Sequence, residues 1–319
     1  MALSTGLVAT APNYVYLFPL NILGATAQAA YTVVSLALMG DLLEHRTGAR
    51  GFRMGIYRGL CSLGFGTMAF FSGSVADRLA LNAPYGTSTA LLGVALILSL
   101  FVKETSTPPS TATKAPDPVP ATAEQPSTLP LPPLLIAMFL WSLTTGAVYA
   151  VWANYMVGEQ GFTPTQMSRL WSLASLSEFP LMIFSGWLSD RLGRLPMLSL
   201  GFFAWTIVYA GYVAVPLMPW IILIQLTRGF AYSAFTATSM TYATEVRAKA
   251  ERGRMSGLYS TAGSIGAILG STMGGTLAQF AGTRTMILIN AVLIFGGALY
   301  LAVATVKHRK RLRNSTTTP

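Results

Sequence analysis

Apolar segments long enough to cross a bilayer alternate with short polar segments along almost the whole chain. A membrane-spanning helix needs about 20 predominantly apolar residues, with a range of roughly 17 to 25. Nine segments meet this length: residues 14–40, 54–76, 86–102, 134–157, 165–188, 196–215, 219–243, 256–280 and 285–305. Residues 2–11 are apolar but too few to span. The pattern predicts an all-α, multi-pass protein embedded in a lipid bilayer.

One segment interrupts the apolar pattern. Residues 103–133 contain nine of the eighteen prolines, interleaved with Thr, Ala and Ser, and this composition cannot form a packed core. We therefore expect a linker here. It divides the chain into a partial bundle over residues 1–102 and a six-helix bundle over residues 134–305. A basic tail over residues 306–319 follows the second bundle.

The net charge of +10 would by itself suit a nucleic-acid-binding protein. The basic residues, however, lie mainly between the apolar segments. If the turn that contains Asp190 is cytoplasmic, sixteen of the 21 Lys and Arg residues fall on the cytoplasmic side, as the positive-inside rule requires. We expect a plasma-membrane protein with a cytoplasmic linker and tail and no nucleic-acid partner. The tail then anchors the topology, and contact with anionic lipids is the alternative.

The residue types on which most enzymes and metal sites depend are scarce. Cys61 is the single cysteine of the chain and lies in an apolar segment, so neither a disulfide framework nor a cysteine metal cluster is available. The two histidines, His45 and His308, fall in predicted cytoplasmic segments, and no paired carboxylates converge with them. We expect neither an enzyme nor a bound cofactor or metal.

An internal repeat relates the two predicted bundles. A shift of 202 positions places Gly55 on Gly257 and Tyr57 on Tyr259, and the register holds without gaps as far as Ala76. The segment before it repeats with a shift of 204. Two helices of the first bundle therefore correspond to two helices of the second.

A charged turn joins the fifth and sixth apolar segments. It begins at Gly186 and contains Asp190, Arg191, Gly193 and Arg194. The glycines allow close backbone approach in a tight reversal, while the charges stay in water. The spacing Gly-x-Leu-small-Asp-Arg-x-Gly-Arg resembles the signature loop of the major facilitator superfamily, a large family of secondary transporters.

The resemblance implies two six-helix bundles built from parallel repeats. If residues 219–243 form the tenth helix of such a protein, residues 14–40 form the fourth and residues 2–11 are a remnant of the third. The chain would then lack the counterparts of the first two helices and most of the third. This register predicts a truncated or mis-started gene product, or a fragment.

In this superfamily the first, fourth, seventh and tenth helices line a central cavity, and polar stripes mark the corresponding segments here. The candidate cavity residues are Asn21, Gln28, Tyr149, Trp152, Asn154, Gln225, Arg228 and Tyr232. An arginine inside the bilayer costs at least about 2.5 to 3.5 kcal/mol unless it is paired or hydrated. We therefore expect Arg228 to face the cavity and bind an anionic group, on the solute or on another helix. For Tyr149 and Trp152, packing between helices is the alternative.

Glu178 is the one carboxylate at mid-depth in the predicted spans. Burial disfavours the ionised form of a carboxyl group, so such a group can bind and release a proton as its access to water alternates. Some proton-coupled members of the superfamily carry a glutamate on this helix. We expect Glu178 to couple transport to protons, and an ion pair with an arginine of a neighbouring helix is the alternative.

The resemblance gives Asp190 a gating role at the cytoplasmic contact between the two bundles. Pseudo-twofold symmetry places the loop against the start of the fifth helix, near residues 53–58, where free N–H groups favour an anion. Arg53 and Arg58 add positive charge there. Asp190 is therefore expected to hold the cytoplasmic side shut when the cavity faces outward.

A second charge pair is expected beside this contact. Glu245 ends the predicted tenth helix and should neutralise Arg191 or Arg194. A solvated turn that merely orients the protein is the alternative for the whole loop.

Glycines follow one face of the segment 256–280, at positions Gly263, Gly266, Gly270 and Gly274. In a soluble protein they would suggest a nucleotide-binding loop, but no strand precedes them and no lysine follows in the required position. Small residues let helix backbones approach closely in a membrane. We therefore expect a helix-packing face.

Two functions fit these observations. The first is a secondary active transporter of a small organic solute, proton-coupled and working by alternating access between two helical bundles. The second is a chain that does not transport, either a truncated remnant of the superfamily or a membrane sensor or scaffold. In both cases we expect a monomer.

Overall fold

The computed structural model describes residues 1–11, 13–44, 49–78, 83–101, 129–246 and 252–316, and these ranges contain helices and no strand. Ten α-helices follow one another in these ranges: α1 (Ala2–Ala9), α2 (Leu17–Glu44), α3 (Arg50–Arg78), α4 (Ala83–Ser99), α5 (Leu131–Asn154), α6 (Pro164–Leu192), α7 (Arg194–Ala214), α8 (Trp220–Glu245), α9 (Arg252–Ala281) and α10 (Thr283–Thr316). A π-helical turn, Tyr155–Glu159, extends α5. Each of the nine predicted spans coincides with one helix, and the all-α prediction is confirmed.

Four of the described helices are long and apolar enough to cross a bilayer by length and composition. Their spans are Leu17–Ser35, Leu131–Glu159, Arg194–Ala214 and Thr283–Asn314. The helices α6 and α8 are as long but carry more polar residues, of which Ser175, Glu178, Arg228 and Ser233 are buried. Their lower hydropathy therefore comes from residues that face protein rather than lipid.

Large apolar side chains lie on the outside of the helices. Ile207, Leu223 and Val292 are 61%, 54% and 70% exposed, on α7, α8 and α10. In a water-soluble protein such residues would be buried, whereas lipid tails are as apolar as the side chains themselves. The outer surface thus suits a bilayer.

The chain forms two compact units. The first comprises Met1–Thr32 and the described part of Ser74–Pro126. Within it α1 packs on α4, and Gly6 lies against the side chain of Thr89. The second unit comprises Val33–Gly73 and the described part of Ser127–Pro319, so most of α3 belongs to the same unit as α5 to α10.

The predicted linker lies largely outside the described residues, which resume at 129. Helix α5 begins at Leu131. Pro132 and Pro133 fit into the first turn of this helix, where the missing N–H of proline has no helical partner to lose. The division of the chain into bundles at residues 103–133 stays a prediction.

The interior of the second unit is built from α5 to α10. Helix α5 packs on α9, α7 lies between α8 and α10, and α6 packs on α8. The hydroxyl of Ser199 on α7 donates to the carbonyl of Ala298 on α10 at 2.9 Å. Large aromatic side chains fill the centre and are fully buried: Trp152, Trp205, Tyr209 and Tyr212.

Candidate functional site

A cavity of about 290 Å³ opens between α3, α5, α6 and α8 within the second unit. Its lining combines charged, polar and aromatic side chains: Arg58, Cys61, Ser62, Phe65, Tyr149, Trp171, Ser175, Glu178, Arg228 and Tyr232. The volume lies at the small end of the range for small-molecule sites, about 300 to 1,000 Å³.

Arg228 is the most buried charged group of the cavity, with 2% of its surface exposed. Its Nη1 donates to the hydroxyl oxygen of Tyr149 at 3.0 Å. The guanidinium carbon lies 4.6 Å from the ring centroid of Trp171, where the ring's negative face attracts a cation. Tyr149 and Trp171 are in edge contact, with ring centroids 5.0 Å apart, so the two aromatic rings hold the arginine from two sides.

Glu178 faces Arg228 across the cavity and is 5% exposed. Its Oε1 lies 3.7 Å from Nη2 of Arg228, a separation typical of an ion pair and too long for a hydrogen bond. Arg58 and Ser62, both on α3, are close enough to interact electrostatically with the same carboxyl. The pairing alternative for Glu178 thus has its partner in the structure.

Several polar atoms of the cavity are buried without a hydrogen-bond partner among the described residues. They are Nε and Nη2 of Arg228 and Nε of Arg58. A buried donor without an acceptor costs about 1 to 3 kcal/mol, and more when the group is charged. Such atoms in a protein are expected to meet water, an ion or a ligand.

The cavity brings together some of the sequence-predicted residues and not others. Arg228, Tyr232, Tyr149 and Glu178 line it. Arg58, which the sequence analysis placed at the gate, lines it as well, because α3 carries it two turns past the loop contact.

Three predicted residues near the cavity do not line it. Trp152 is 1% exposed and packs behind the cavity wall, with its ring centroid 5.1 Å from that of Trp171 and 5.7 Å from that of Tyr212. Gln225 is fully buried and accepts a hydrogen bond from the Tyr212 hydroxyl at 3.1 Å. Asn154 is exposed at the end of α5. None of the three is among the lining residues, and the packing alternative describes Trp152.

Asn21 and Gln28 belong to the first unit and are exposed there. The side-chain amide of Asn21 donates to the carbonyl of Leu17 on its own helix at 2.8 Å. Their place in a cavity stays a prediction.

Trp171 and Phe65 line the cavity but were not predicted, whereas Ser175 was expected on the face of Glu178. Trp171 and Ser175 lie seven and three residues before Glu178, and therefore on the same face of α6. Cys61 and Phe65 lie three and seven residues after Arg58 on α3. Helical spacing from Glu178 and from Arg58 is the signal that could have identified this wall.

Asp190 lies at the N-terminus of α3. Its two carboxylate oxygens accept hydrogen bonds from the backbone N–H groups of Gly51 and Phe52 at 2.9 and 3.0 Å. These are free N–H groups of the first helical turn, where the helix dipole favours an anion. The contact therefore lies just before the expected residues 53–58, and Arg53 follows on the same turn.

A bidentate ion pair continues this contact to α8. Arg194 donates through Nε and Nη2 to the two oxygens of Glu245, at 2.8 and 2.7 Å, and through Nη1 to Asp190 at 2.8 Å. Of the two expected partners of Glu245, the structure selects Arg194. Arg191 instead lies over the ring of Trp187, 4.0 Å from its centroid.

Glycines make the backbone approaches that this loop requires. A Cβ at Gly186 would overlap the carbonyl of Gly51, so α6 and α3 touch through their backbones. Gly193 has φ +96°, a conformation that L side chains rarely adopt. It separates α6 from α7 without any further connecting residue.

The glycine face of α9 lies against α5. A Cβ at Gly263, Gly266, Gly270 or Gly274 would overlap atoms of residues on α5. Small residues at such positions allow close packing of membrane helices.

Within the part of the chain that the structure describes, no three His, Cys, Asp or Glu side chains converge on a place that could hold a metal ion.

Comparison with known proteins gives a consistent result. The model of the Major Facilitator Superfamily matches residues 134–319. Two curated relatives are each named multi-drug resistance efflux pump PmrA, from Streptococcus pneumoniae serotype 4 (strain ATCC BAA-334 / TIGR4) and from Streptococcus pneumoniae (strain ATCC BAA-255 / R6). Each is 29% identical over 181 residues, which cover 54% of this chain and 45% of the pump. The chain spans about half the length of these curated relatives.

Proposed function

Because this chain belongs to the major facilitator superfamily, whose members are transporters, we propose that it moves a small organic solute across the plasma membrane in a proton-coupled cycle. Alternating access of the cavity between α3, α5, α6 and α8 is the mechanism. The linker and the basic tail face the cytoplasm in this proposal.

The observation that carries the proposal is a buried arginine and a buried carboxylate facing each other across an open cavity. Charged residues inside a membrane protein are costly, and they commonly mark solute or proton pathways. The pair is loose at 3.7 Å, which leaves both groups able to change partners. A purely structural pair would gain more from a short, saturated contact.

Glu178 is the proposed proton carrier. When the cavity opens to water on one side, the carboxyl equilibrates with protons there, and when the access changes it releases the proton to the other side. Asp190 on the α3 N-terminus is proposed as the latch that closes one of the two accesses, as the sequence resemblance implies.

The competing proposal is a chain that keeps the fold without the transport cycle. The substrates of the relatives that are named drug efflux pumps are not assigned to this chain, since only about half of the length of those pumps is matched. A functional measurement decides between the two proposals.

The test uses the full chain reconstituted in proteoliposomes that contain a pH-sensitive dye. A pH gradient is imposed, and benzoate, benzyl alcohol and benzyltrimethylammonium are added in turn as anionic, neutral and cationic probes. A solute-dependent proton flux supports the transporter, and it should disappear in Glu178→Gln while persisting in Glu159→Gln, which alters an exposed carboxylate. If no probe moves protons through the wild-type chain, the non-transporting alternative is favoured.

A further inference from the structure

We infer that the cavity takes a small aromatic carboxylate, and that ionised Glu178 competes with this anion for Arg228. The inference rests on the proposed function, since it names the solute class of the same site. It follows from the charge balance of the cavity, from one unused edge of a guanidinium and from the position of Glu178.

The cavity contains more positive than negative charge. Two guanidinium groups, Arg58 and Arg228, face one carboxylate, Glu178, which leaves an excess of one positive charge when Glu178 is ionised and two when it is protonated. An uncompensated charge away from water is strongly unfavourable. A bound anion offsets the excess, whereas a cation increases it.

The unused donors of Arg228 form a carboxylate-binding edge. Nε and Nη2 are the two nitrogens without hydrogen-bond partners among the described residues, and their N–H groups point in the same direction in a planar guanidinium. The same edge of Arg194 holds both oxygens of Glu245 at 2.8 and 2.7 Å. At Arg194 this edge binds a carboxylate through both oxygens, and the same contact is open at Arg228.

Glu178 is placed to fill this edge but does not do so. Its nearest oxygen is 3.7 Å from Nη2, so a small movement would bring it into contact. An ionised Glu178 and a solute carboxylate are both acceptors for the same two donors, and they exclude each other. Protonation of Glu178 removes its attraction to Arg228 and leaves the edge to the solute.

Binding of the proton and of the anion is therefore mutually favourable. By linkage, a proton that strengthens anion binding is itself held more tightly when the anion is present. The titratable and charged groups around Glu178 are Arg58 and Cys61 from α3, Tyr149 from α5, and Arg228 and Tyr232 from α8. Of these groups, the carboxyl of Glu178 is the one whose protonation matters: ionised, it competes with the anion for Arg228, and protonated, it does not.

The walls of the cavity indicate the body of the solute. Trp171, Tyr149, Tyr232 and Phe65 surround the arginine edge, and aromatic faces pack well on a planar ring. Tyr149 accepts from Arg228 through its oxygen, so its own O–H is oriented to donate to a second acceptor. A volume of about 290 Å³ holds a single-ring carboxylate.

The experiment measures equilibrium binding to the full chain in detergent, from mildly acidic to mildly alkaline pH. Benzenesulfonate is the main probe because it stays ionised throughout, and benzoate, benzyl alcohol and benzyltrimethylammonium complete the series. We expect the anions to bind and the cation not to bind. The affinity for benzenesulfonate should rise as the pH falls, by up to about tenfold per pH unit for a single linked proton.

Glu178→Gln removes the competitor without changing its size. This variant should bind benzenesulfonate equally well at every pH, at least as tightly as the wild type does at acidic pH. Arg228→Lys should weaken binding at least about tenfold, because the fork of donors is lost. The control Arg169→Lys changes an exposed arginine of α6 and should bind as the wild type does.

Three results would overturn the inference: stronger binding of the cation than of the anions, pH-independent binding of benzenesulfonate to the wild type, or an unchanged pH dependence in Glu178→Gln. If that variant does not fold, the wild-type pH series with benzenesulfonate still decides. Equilibrium binding needs no transport, so the two proposals fail separately. Anion binding without solute flux refutes the transporter, and flux of a neutral or cationic solute without anion binding refutes the anion site.

Discussion

Arg194 and Arg228 present the same chemical group to two different surroundings. At the loop, the Nε–Nη2 edge of Arg194 is filled by Glu245, and Nη1 reaches Asp190. In the cavity, the corresponding edge of Arg228 has no hydrogen-bond partner among the described residues, and the nearest carboxylate stays at 3.7 Å. Each of these donors of Arg194 has an acceptor, which suits a structural latch. The Nε and Nη2 donors of Arg228 lack one, which suits a binding site.

The largest effect on anion affinity is expected from replacing the guanidinium group by an ammonium group at each site. Arg228→Lys should lower the affinity for benzoate by about ten- to a hundredfold, which corresponds to the 1.5 to 3 kcal/mol of a charged hydrogen bond. Arg194→Lys should leave that affinity unchanged within about twofold and lower thermal stability instead. Equilibrium binding and thermal unfolding of both variants measure the contrast, and equal binding losses would contradict it.

Neutralising the carboxylate at each site should reduce the stability of the folded protein by different amounts. Glu245→Gln breaks a bidentate pair whose side chains are 17% and 10% exposed, and it should destabilise the protein by about 1 to 2 kcal/mol. Glu178→Gln should cost less, because the 3.7 Å contact contributes little hydrogen bonding and because water or an anion that enters the open cavity can offset the charge left beside Arg228. Thermal unfolding in one detergent compares them, and a larger loss in Glu178→Gln would show that the cavity pair is the structural one.

A smaller effect is expected at the α3 contact. Asp190→Asn removes the charge that the two N–H groups of α3 and Arg194 hold, a partly exposed interaction worth about 0.3 to 2 kcal/mol. This shifts a two-state balance several-fold and should speed the reaction of Cys61 with a maleimide. Cys61 is exposed in the cavity and is the single cysteine, so the signal has no background. Unchanged labelling with an intact fold would remove the latch.

The smallest effect is expected from Cys61 itself. Its thiol lines the cavity but is a weak hydrogen-bond partner, so Cys61→Ser should change benzenesulfonate binding by less than about twofold. The same variant should lose all maleimide reactivity. A large loss of binding in Cys61→Ser would make the thiol part of the site.

The sequence identified the costly residues of the cavity because burying a charge leaves a strong signal. Arg228 and Glu178 were found as polar exceptions in apolar segments, and both line the cavity. Trp171 and Phe65 were not found, since an aromatic residue in an apolar segment looks the same whether it faces lipid, a neighbouring helix or a cavity.

Helical stripes located the cavity face only coarsely. Residues three positions apart on a helix point about 60° apart, because each residue turns the helix by about 100°. Trp152 follows Tyr149 by three residues and Gln225 precedes Arg228 by three, and this rotation brings both into contact with Tyr212 on α7 rather than into the cavity. A stripe read from sequence therefore contains its packing neighbours as well as its cavity residues.

The position of the Asp190 contact depends on where α3 begins. Symmetry placed Asp190 at the start of α3, and the contact is made by Gly51 and Phe52. The free N–H groups were expected near residues 53–58, because the apolar pattern starts the span at residue 54, whereas α3 begins at Arg50. The choice between Arg191 and Arg194 for Glu245 depended on side-chain direction, which sequence spacing does not contain.

An anion bound beside Arg228 should protect the thiol of Cys61 from chemical labelling, since both residues line the cavity. The full chain is treated with N-ethylmaleimide at mildly acidic pH, with and without saturating benzenesulfonate, and labelled Cys61 is followed over time. Benzenesulfonate should slow labelling several-fold in the wild type and have no effect in Arg228→Lys, while benzyltrimethylammonium should protect neither. Equal labelling rates with and without the anion in the wild type would contradict the claim that the cavity beside Arg228 is a solute-anion site.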